Sequence, residues 1–412
     1  MNLLMVSPHL PDPSWGAGTR SYYLLKALAE KYTVSLLSLT DESTTTEAHK
    51  TLQQINLKQI HLLPLQTSLQ DKRAQQLASI IRNQSYLVSS YYKKELQQAI
   101  NTILAQDHYD AVIFESVFMA GYHVPDELTV IIDQHNIEHE LLQRTYEQER
   151  SHSRKWFNWW EARKLKPIEL ARCRKAQGVL VTSEREYQVL KKLVPQCHVA
   201  VVPNGVDTRL FNKFGGSQEI ANRIIFTGTM NYYPNIQAVL FFARTCWPRI
   251  QAQIPDATWQ IVGKSPPPEV EQLATLRGVT VTGAVPDVKP YLAAASVAIV
   301  PLLVGSGTRL KILEALAMQK AIVTTSLGCE GLAVETGKHL CVADQPELFA
   351  QSIIDLLCSS EKRAALGKAG RALVEAQYSW TQCGNSAIHA IEVMGNVTSG
   401  PDLAPRPDVV TR

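Results

Sequence analysis

The sequence predicts an α/β protein of two doubly wound domains that face each other across a cleft. Short apolar runs typical of buried strands alternate with helical patterns from residue 2 onward, which indicates parallel sheets with helices on both faces. The polar stretch Asn212 to Asn222 interrupts the alternation, which then resumes for a second series of similar size. With 412 residues, 45% of them hydrophobic, the chain can form two such cores.

The first series begins at the apolar run Asn2 to Ser7, which predicts a buried strand. A Pro/Gly-containing loop follows, and Ser21 to Lys31 has apolar residues at helical spacing. Further strands are predicted at Val34 to Leu39, Ala111 to Phe114, Thr129 to Asp133, Gly178 to Thr182 and Val199 to Val202. These elements define an N-terminal domain over residues 1–205.

The second series defines a C-terminal domain over residues 206–380. Its strands are predicted at Ile224 to Thr227, Thr258 to Val262, Val279 to Thr282, Val297 to Pro301, Ala321 to Thr324 and Leu340 to Val342. We expect a helix over residues 381–395 to pack back on the N-terminal domain. Residues 396–412 contain three prolines and few large apolar side chains, so we expect a disordered tail.

Composition excludes several classes of protein. A net charge of +3 gives no general reason to expect a nucleic-acid partner. The seven cysteines are scattered, odd in number and without a C-x-x-C pair, which speaks against a disulfide framework or a zinc ribbon and favours a reducing, cytoplasmic compartment. No basic region precedes the apolar run at the N-terminus, so a secretory signal is not expected. The most apolar stretch, Leu292 to Gly305, is too short to span a bilayer.

The strongest functional signal is the run VGSGTRLKILEALA, residues 304–317. A strand ends there, glycines free the backbone, and we predict a helix starting near Thr308. Exposed amides at a helix N-terminus favour a phosphate or diphosphate, and Arg309 and Lys311 add positive charge. Lys311 and Glu314 share one helix face, where they could bind a diphosphate and a ribose hydroxyl pair. The alternative is a surface helix with a salt bridge, which would not need glycines at the strand exit.

Several further motifs occur in a fixed order along the chain. They are VPNGVD at 202–207, FTGTMN at 226–231, TGAVPD at 282–287, KILEALA at 311–317, GCEGL at 328–332 and YSW at 378–380. Together they resemble the GT-B fold glycosyltransferases of family 4, the glycosyl transferases group 1, which include bacterial sugar transferases of surface-glycan assembly. The resemblance covers nearly all of residues 1–395.

This resemblance implies two Rossmann-like domains and a retaining, hexosyltransferase-type enzyme. Such an enzyme moves a sugar from a nucleotide-diphosphate donor, held by the C-terminal domain, to a hydroxyl of a glycan or lipid-linked acceptor bound on the N-terminal side. It also implies independence of metal and of any cofactor, and no Asp-x-Asp triplet occurs in the sequence. Positive charge and backbone amides must then stabilise the leaving diphosphate.

Donor-binding positions follow from the match to the family motifs. By position, Glu314 is the second glutamate of the family's Glu-x7-Glu motif and is expected to hold the ribose. Ser306 stands where the first glutamate is missing, and the family's Arg and Lys after Gly228 are absent, so Arg309 and Lys311 are expected to substitute for them. The full predicted donor set is Gly18, Gly228, Ser306, Gly307, Thr308, Arg309, Lys311 and Glu314.

In the N-terminal domain the resemblance points to the glycine loop at residues 16–20 and to His135. Gly18 would allow close approach to the donor, and Arg20 would either pair with a phosphate or be solvated. His135 follows the strand Thr129 to Asp133, and the resemblance makes it a catalytic candidate beside the donor sugar, together with Arg309 and Lys311; a lone histidine is otherwise more often structural.

Three carboxylates complete the predicted acceptor side. Asp133 and Glu138 are candidates for deprotonating the acceptor or for orienting His135, and the sequence does not rank them. Glu115 ends another strand and would either contact the acceptor or cap the next helix.

Other classes of protein fit less well. In the loop after the first strand, Ser21 occupies the third-glycine position of a dinucleotide fingerprint, and Gly16 lies nine residues beyond the strand, so hydride transfer is disfavoured. The string His135-x-x-Glu138-His139 matches a zinc-hydrolase pattern but follows a strand and has no evident third ligand. A GT-B sugar-nucleotide epimerase and a non-catalytic sugar-nucleotide-binding protein remain as alternatives.

Residues 150–175 have a net charge of +7 and contain Trp156, Trp159 and Trp160. Basic residues with tryptophan suit an anionic membrane interface, which would allow peripheral association with the inner membrane. Tryptophans at helical spacing are otherwise more often core residues, with the cationic side chains solvated on the opposite face.

Overall fold

The computed structural model describes residues 1–13, 16–40, 46–64, 76, 79, 81–149, 151–212, 219–305 and 307–397. In these ranges the strands form two parallel sheets. The first has the order β3-β2-β1-β4-β5-β6-β7, with strands β1 Asn2–Ser7, β2 Thr33–Thr40, β3 Gln59–Pro64, β4 Ala111–Glu115, β5 Thr129–Asp133, β6 Gly178–Val181 and β7 His198–Val201. The second has the order β10-β9-β8-β11-β12-β13, with β8 Arg223–Thr227, β9 Thr258–Val262, β10 Val279–Gly283, β11 Val297–Val300, β12 Ala321–Thr324 and β13 Cys341–Val342.

Helices connect the strands on both faces of each sheet. In the first half they are α1 Gly16–Lys31, α2 Thr46–Leu52, α3 Tyr86–Tyr91, α4 Lys94–Gln106, α5 Glu138–Gln148, α6 His152–Lys175 and α7 Glu184–Leu193. In the second half they are α8 Tyr233–Thr245, α9 Trp247–Gln253, α10 Pro268–Glu271, α11 Lys289–Ala294, α12 Leu310–Ala317, α13 Pro346–Leu357, α14 Ser360–Leu373 and α15 Trp380–Val397. The predicted fold class, α/β with two doubly wound domains, is confirmed.

The strand predictions hold to within about two residues, with one omission. Strand β3, QIHLLP, is an edge strand whose side chains are all partly or largely exposed. It therefore lacks the continuous apolar run that marks the buried strands of the same sheet.

Each sheet reverses its strand order at one point, and the two reversals locate the cleft. The order reverses between β1 and β4 in the first sheet and between β8 and β11 in the second. Open α/β sheets bind ligands at such switch points, beyond the carboxyl ends of the strands. The residues that follow these four strands are therefore the ones to examine for a site.

The chain crosses between the two halves twice, near Val206 and near Ser379, which pair in an isolated β-bridge. Beyond the second crossing α15 returns to the N-terminal sheet, where Ala387, Ile391 and Met394 are buried in the same apolar cluster as Leu25 of α1. Residues 398–412, which include most of the predicted disordered tail, lie outside the described residues. Among the helices described, none is both long and apolar enough to pass through a bilayer.

Candidate active site

The loop that follows β11 carries the predicted anion site. Gly305 and Gly307 have φ values of 123° and 76°, a region that favours glycine because it has no Cβ. The helix begins at Leu310, two residues later than predicted, because Arg309 has the extended backbone of an N-cap residue. The Thr308 hydroxyl is buried and has no hydrogen-bond partner among the described residues. Ser306 lies outside the described residues, so its predicted donor contact has no structural account.

Lys311 lies in a pocket formed at the exit of β8. Its Nζ donates a hydrogen bond to Asn235 Oδ1 at 2.8 Å and lies 4.1 Å from the centre of the Phe226 ring. Gly228 makes room for it, since a Cβ at that position would lie 2.7 Å from Nζ. Burial, with Arg309 nearby, lowers the pKa of Lys311 to about 7. A cation held in this way is poorly solvated and gains strongly from a bound anion.

Glu314 is half-buried one turn further along α12. Burial raises its pKa to about 7, while Lys311 and Lys289 act in the opposite direction. A lysine and a carboxyl group with opposite shifts therefore share one face of the helix, as the three-residue spacing predicted.

Arg309 is half-buried and turns back on the glycine loop. Its Nη1 donates a hydrogen bond to the Gly307 carbonyl, and a Cβ at Gly305 would lie 3.1 Å from its Nη2. Burial lowers its pKa, while Tyr232 and Glu330 raise it. In this arrangement Arg309 braces the loop.

Arg20 differs from both predicted roles. Its side chain is buried, with Nη2 at 2.6 Å from Asp133 Oδ1 and Nε at 3.0 Å from Asp133 Oδ2. Its Nη1 donates to the Val202 carbonyl at 2.8 Å. Arg20 is therefore neither solvated nor directed at a phosphate, because its donors tie α1 to β5 and to the segment after β7. Gly18, one turn earlier, is buried in α1, and its carbonyl accepts a hydrogen bond from the Asp12 amide at 3.2 Å.

His135 lies against two carboxylates at the end of the first sheet. Its Nε2 is 3.5 Å from Glu115 Oε1 and 3.5 Å from Asp133 Oδ2. That nitrogen is buried, whereas 17% of the side chain is exposed. Burial alone lowers the pKa of His135, but Asp133 and Glu115 raise it above the ordinary value. For Asp133 burial acts upward, yet Arg20 and His135 hold its pKa well below the usual range.

Glu115 is buried behind His135 and neither caps a helix nor reaches the cleft surface, so both predicted roles are wrong. Its two carboxylate oxygens accept hydrogen bonds from the hydroxyls of Ser7 and Ser21. Burial raises its pKa, and His135 and the two serines oppose that shift.

Glu138 starts α5, and the fully buried Glu169 of α6 fixes the loop before it. Glu169 accepts hydrogen bonds from the amides of Glu138 and His139, at 2.9 and 3.0 Å, and from the side chain of Gln134. Burial and the nearby Glu169 raise the pKa of Glu138 to about 7. His139 contacts Glu169 with Nδ1 at 2.7 Å, so His139 and His135 contact different carboxylates. In the described part of the chain no group of three potential ligands could hold a metal ion.

The two halves meet across the cleft at this site. A Cβ on Gly307 would lie 2.7 Å from Asn136 Oδ1, so the glycine loop touches the His135 loop. Glu330, in the loop after β12, forms ion pairs with Arg144 at 2.6 Å and Arg185 at 3.3 Å. The sequence analysis assigned no role to Asn136, Arg144 or Glu330, although two of them lie inside motifs that it quoted.

Comparisons with known proteins agree with this architecture. Residues 16–210 match the family model described as Glycosyltransferase Family 4, and residues 221–359 match the model described as Glycosyl transferases group 1. Among curated proteins, an uncharacterized 44.6 kDa protein in the cps region of Klebsiella pneumoniae is 25% identical over 140 residues, which is 32% of this chain and 36% of that protein. Spore coat protein SA of Bacillus subtilis is 33% identical over 82 residues, 19% of this chain and 22% of that protein. The chain thus matches about a third or less of each relative's length.

Solved structures match nearly the whole chain. Sucrose-phosphate synthase from Thermosynechococcus elongatus has a TM-score of 0.68 at 16% identity and covers 96% of this chain and 100% of its own. TarM has a TM-score of 0.68 at 10% identity, with 96% and 99% covered. HepE of Anabaena has a TM-score of 0.62 at 12% identity, with 95% and 99% covered. At such identities the likeness shows the fold, and with both halves matched by family models the chain belongs to the family 4 glycosyltransferases of GT-B fold.

Proposed function

We propose that this protein transfers a sugar from a nucleotide-diphosphate donor to a hydroxyl of a glycan or lipid-linked glycan. One observation carries the proposal: the half-buried Lys311, beside a glycine loop at a helix N-terminus, faces the His135 loop across the cleft. The first feature suits a diphosphate, and the second brings a histidine next to whatever that diphosphate carries.

Donor binding follows from the charges of the site. The diphosphate would accept hydrogen bonds from the amides after Gly307 and from Lys311, whose low solvation makes an adjacent anion especially favourable. Glu314, one turn along the same face, would accept the ribose hydroxyls. These cations and amides offset the charge that develops on the leaving diphosphate, so we propose that transfer requires no metal ion.

We further propose that the configuration at the sugar is retained, by attack of the acceptor on the face that the diphosphate leaves. The acceptor oxygen bonds to the anomeric carbon as the bond to the diphosphate oxygen breaks, and the hydroxyl proton passes to the departing diphosphate. Asp133 is a poor base for this proton because Arg20 and His135 hold it ionised. Contact between the halves excludes water, which would otherwise hydrolyse the donor.

The relatives support the substrate classes. The HepE structures are complexes with UDP and glucose or with UDP-glucose, and TarM of S. aureus was solved with UDP, fondaparinux and α-GlcNAc-glycerol. The Klebsiella relative is described by its place in a cps region. We therefore propose a uridine-diphosphate sugar as the first donor to test and a cell-surface glycan as the acceptor class.

A thermal-shift panel of nucleoside diphosphates and nucleotide sugars, with a chelator present, tests the proposal. A true donor should raise the unfolding midpoint of the wild type by mass action, and Lys311→Ala and Glu314→Ala should respond weakly or not at all. A glycan-acceptor assay with the responding donor then measures transfer, and the anomeric product is identified by NMR. If no nucleotide stabilises the folded wild type, the donor site is wrongly placed.

We also propose peripheral binding to an anionic cytoplasmic leaflet through α6. Trp156 is 48% exposed, Trp159 and Trp160 are half-buried rather than core residues, and the Arg163 guanidinium lies 4.7 Å from the centre of the Trp159 ring. Flotation with vesicles containing anionic lipid should recover the wild type but not a variant neutralised at Arg154, Arg163 and Lys166. A control neutralised at Lys362 and Lys368 of α14 should float as the wild type does, and equal flotation of all three would reject this surface.

A further inference from the structure

Glu115 is a buried carboxylate to which no role in sugar transfer has been assigned. It is 2% exposed at the end of β4, at the point where the first sheet reverses its strand order. Ser7, from the end of β1, and Ser21, from α1, each donate a hydroxyl to one of its oxygens. Three separate elements therefore fix its position.

The charges around Glu115 do not balance without His135. Arg20 is the guanidinium of this cluster, and its Nε and Nη2 both bind the Asp133 carboxylate. Glu115 has two neutral hydroxyl partners and the Nε2 atom of His135 at 3.5 Å. A buried carboxylate is costly unless a positive charge or a proton accompanies it, and the nearest available group is the imidazole.

The orientation of His135 points the same way. Nε2 is buried between the two carboxylates, so the exposed 17% of the side chain belongs to the remainder of the ring. The loop that carries the ring lies against Gly307, where the proposed donor diphosphate binds. A proton held on Nε2 would therefore place a positive ring next to the departing diphosphate.

We propose that Glu115 is a positioning residue that anchors the Nε2 edge of His135 and keeps the imidazole protonated toward the donor. The proposal rests on the proposed function for what the cation does, but the protonation of His135 is independent of any substrate. The charged groups that face the ring are Glu115 from β4, Asp133 from β5 and Arg20 from α1. Of these, Arg20 opposes protonation and both carboxylates favour it.

The direct test is an NMR titration of His135 in the full chain, without ligand. The sequence contains 11 histidines, so the His135 signal is assigned by its loss in His135→Gln. We expect a wild-type pKa above the ordinary 6.5, and a fall of at least about one unit in Glu115→Gln, because one of two adjacent negative charges is removed. A matched control is Glu161→Gln, which neutralises another fully buried glutamate that binds Ser85 far along α6.

The outcomes separate this proposal from the proposed function. A wild-type His135 that titrates below 6.5 overturns the proposal even if Glu115→Gln does not fold, and so does a titration unchanged in a folded Glu115→Gln. In transfer assays we expect Glu115→Gln to lower kcat on the order of tenfold with little change in donor KM, since it acts through His135. If His135 titrates as expected but no nucleotide sugar binds the wild type, the proposed function fails while the role of Glu115 toward His135 stands.

Discussion

The pH dependence of donor binding tests the role of Lys311 most directly. Burial lowers the pKa of this amine from 10.5 to about 7, so about half of the free protein carries a neutral amine at pH 7. A diphosphate bound beside the amine favours the charged form. Above pH 7 binding must therefore take up a proton, and affinity must fall as pH rises.

The size of the effect follows from the shift. If the bound amine returns to its ordinary pKa, the dissociation constant rises about 50-fold between pH 7 and pH 9, as the neutral fraction grows from about one half to nearly all. Burial also raises the pKa of Glu314 to about 7, and its ionised form is the one that accepts ribose hydroxyls. Ionisation of Glu314 favours binding as pH rises, by at most about twofold above pH 7, which leaves a net loss of about 25-fold, or about 1.9 kcal/mol.

Isothermal titration calorimetry with UDP-glucose measures both the affinity and the proton count. The esterified diphosphate of this ligand does not titrate between pH 7 and pH 9, so any proton taken up belongs to the protein. Buffers of different ionisation enthalpy should report an uptake approaching one proton in Glu314→Gln, where Lys311 acts alone. The control Lys311→Arg keeps its charge throughout this range and should lose the pH dependence. Binding by the wild type that stays constant from pH 7 to pH 9 would refute the assignment of Lys311 to the diphosphate.

Three further predictions concern the scaffold of the site. Arg20→Ala leaves Asp133 buried without its cation and should lower the free energy of unfolding by about 3–5 kcal/mol in chemical denaturation. Gly228→Ala places a Cβ 2.7 Å from Lys311 Nζ, so we expect at least about tenfold weaker UDP-glucose binding, by calorimetry, in a protein that still folds. Glu330→Gln weakens the ion pairs across the cleft and should increase the radius of gyration in solution scattering without ligand.

Each of these variants has a control or a contrary result. Lys31→Ala removes an exposed ion pair with Glu392 on the same domain as Arg20, and it should leave the unfolding midpoint unchanged. Gly337→Ala, at a glycine with φ of 80° and no atom near the added Cβ, controls for backbone strain alone. An unchanged scattering profile for Glu330→Gln would show that other contacts hold the halves together.

The N-terminal site shows where sequence reasoning stopped. His135, Asp133 and Glu115 were identified because each follows or ends a recognisable strand. Their mutual roles were not, since Arg20 is 113 residues from Asp133 in the chain and meets it only through packing of α1 on the sheet. A helix-start arginine reads the same in sequence whether it is solvated, bound to phosphate or buried.

The sequence by itself determined the alternation of strands and helices, the two-domain α/β class, the glycine loop before α12 and the spacing of Lys311 and Glu314. These are local properties, set by hydrophobic periodicity and by backbone freedom within a few residues. Only the tertiary structure decided that Arg20 pairs with Asp133, that Glu115 lies behind His135, that Gly228 admits Lys311, and that Glu330 joins the halves. Such pairings depend on strand order and on the approach of the two domains, which bring together side chains with no local signal of their meeting.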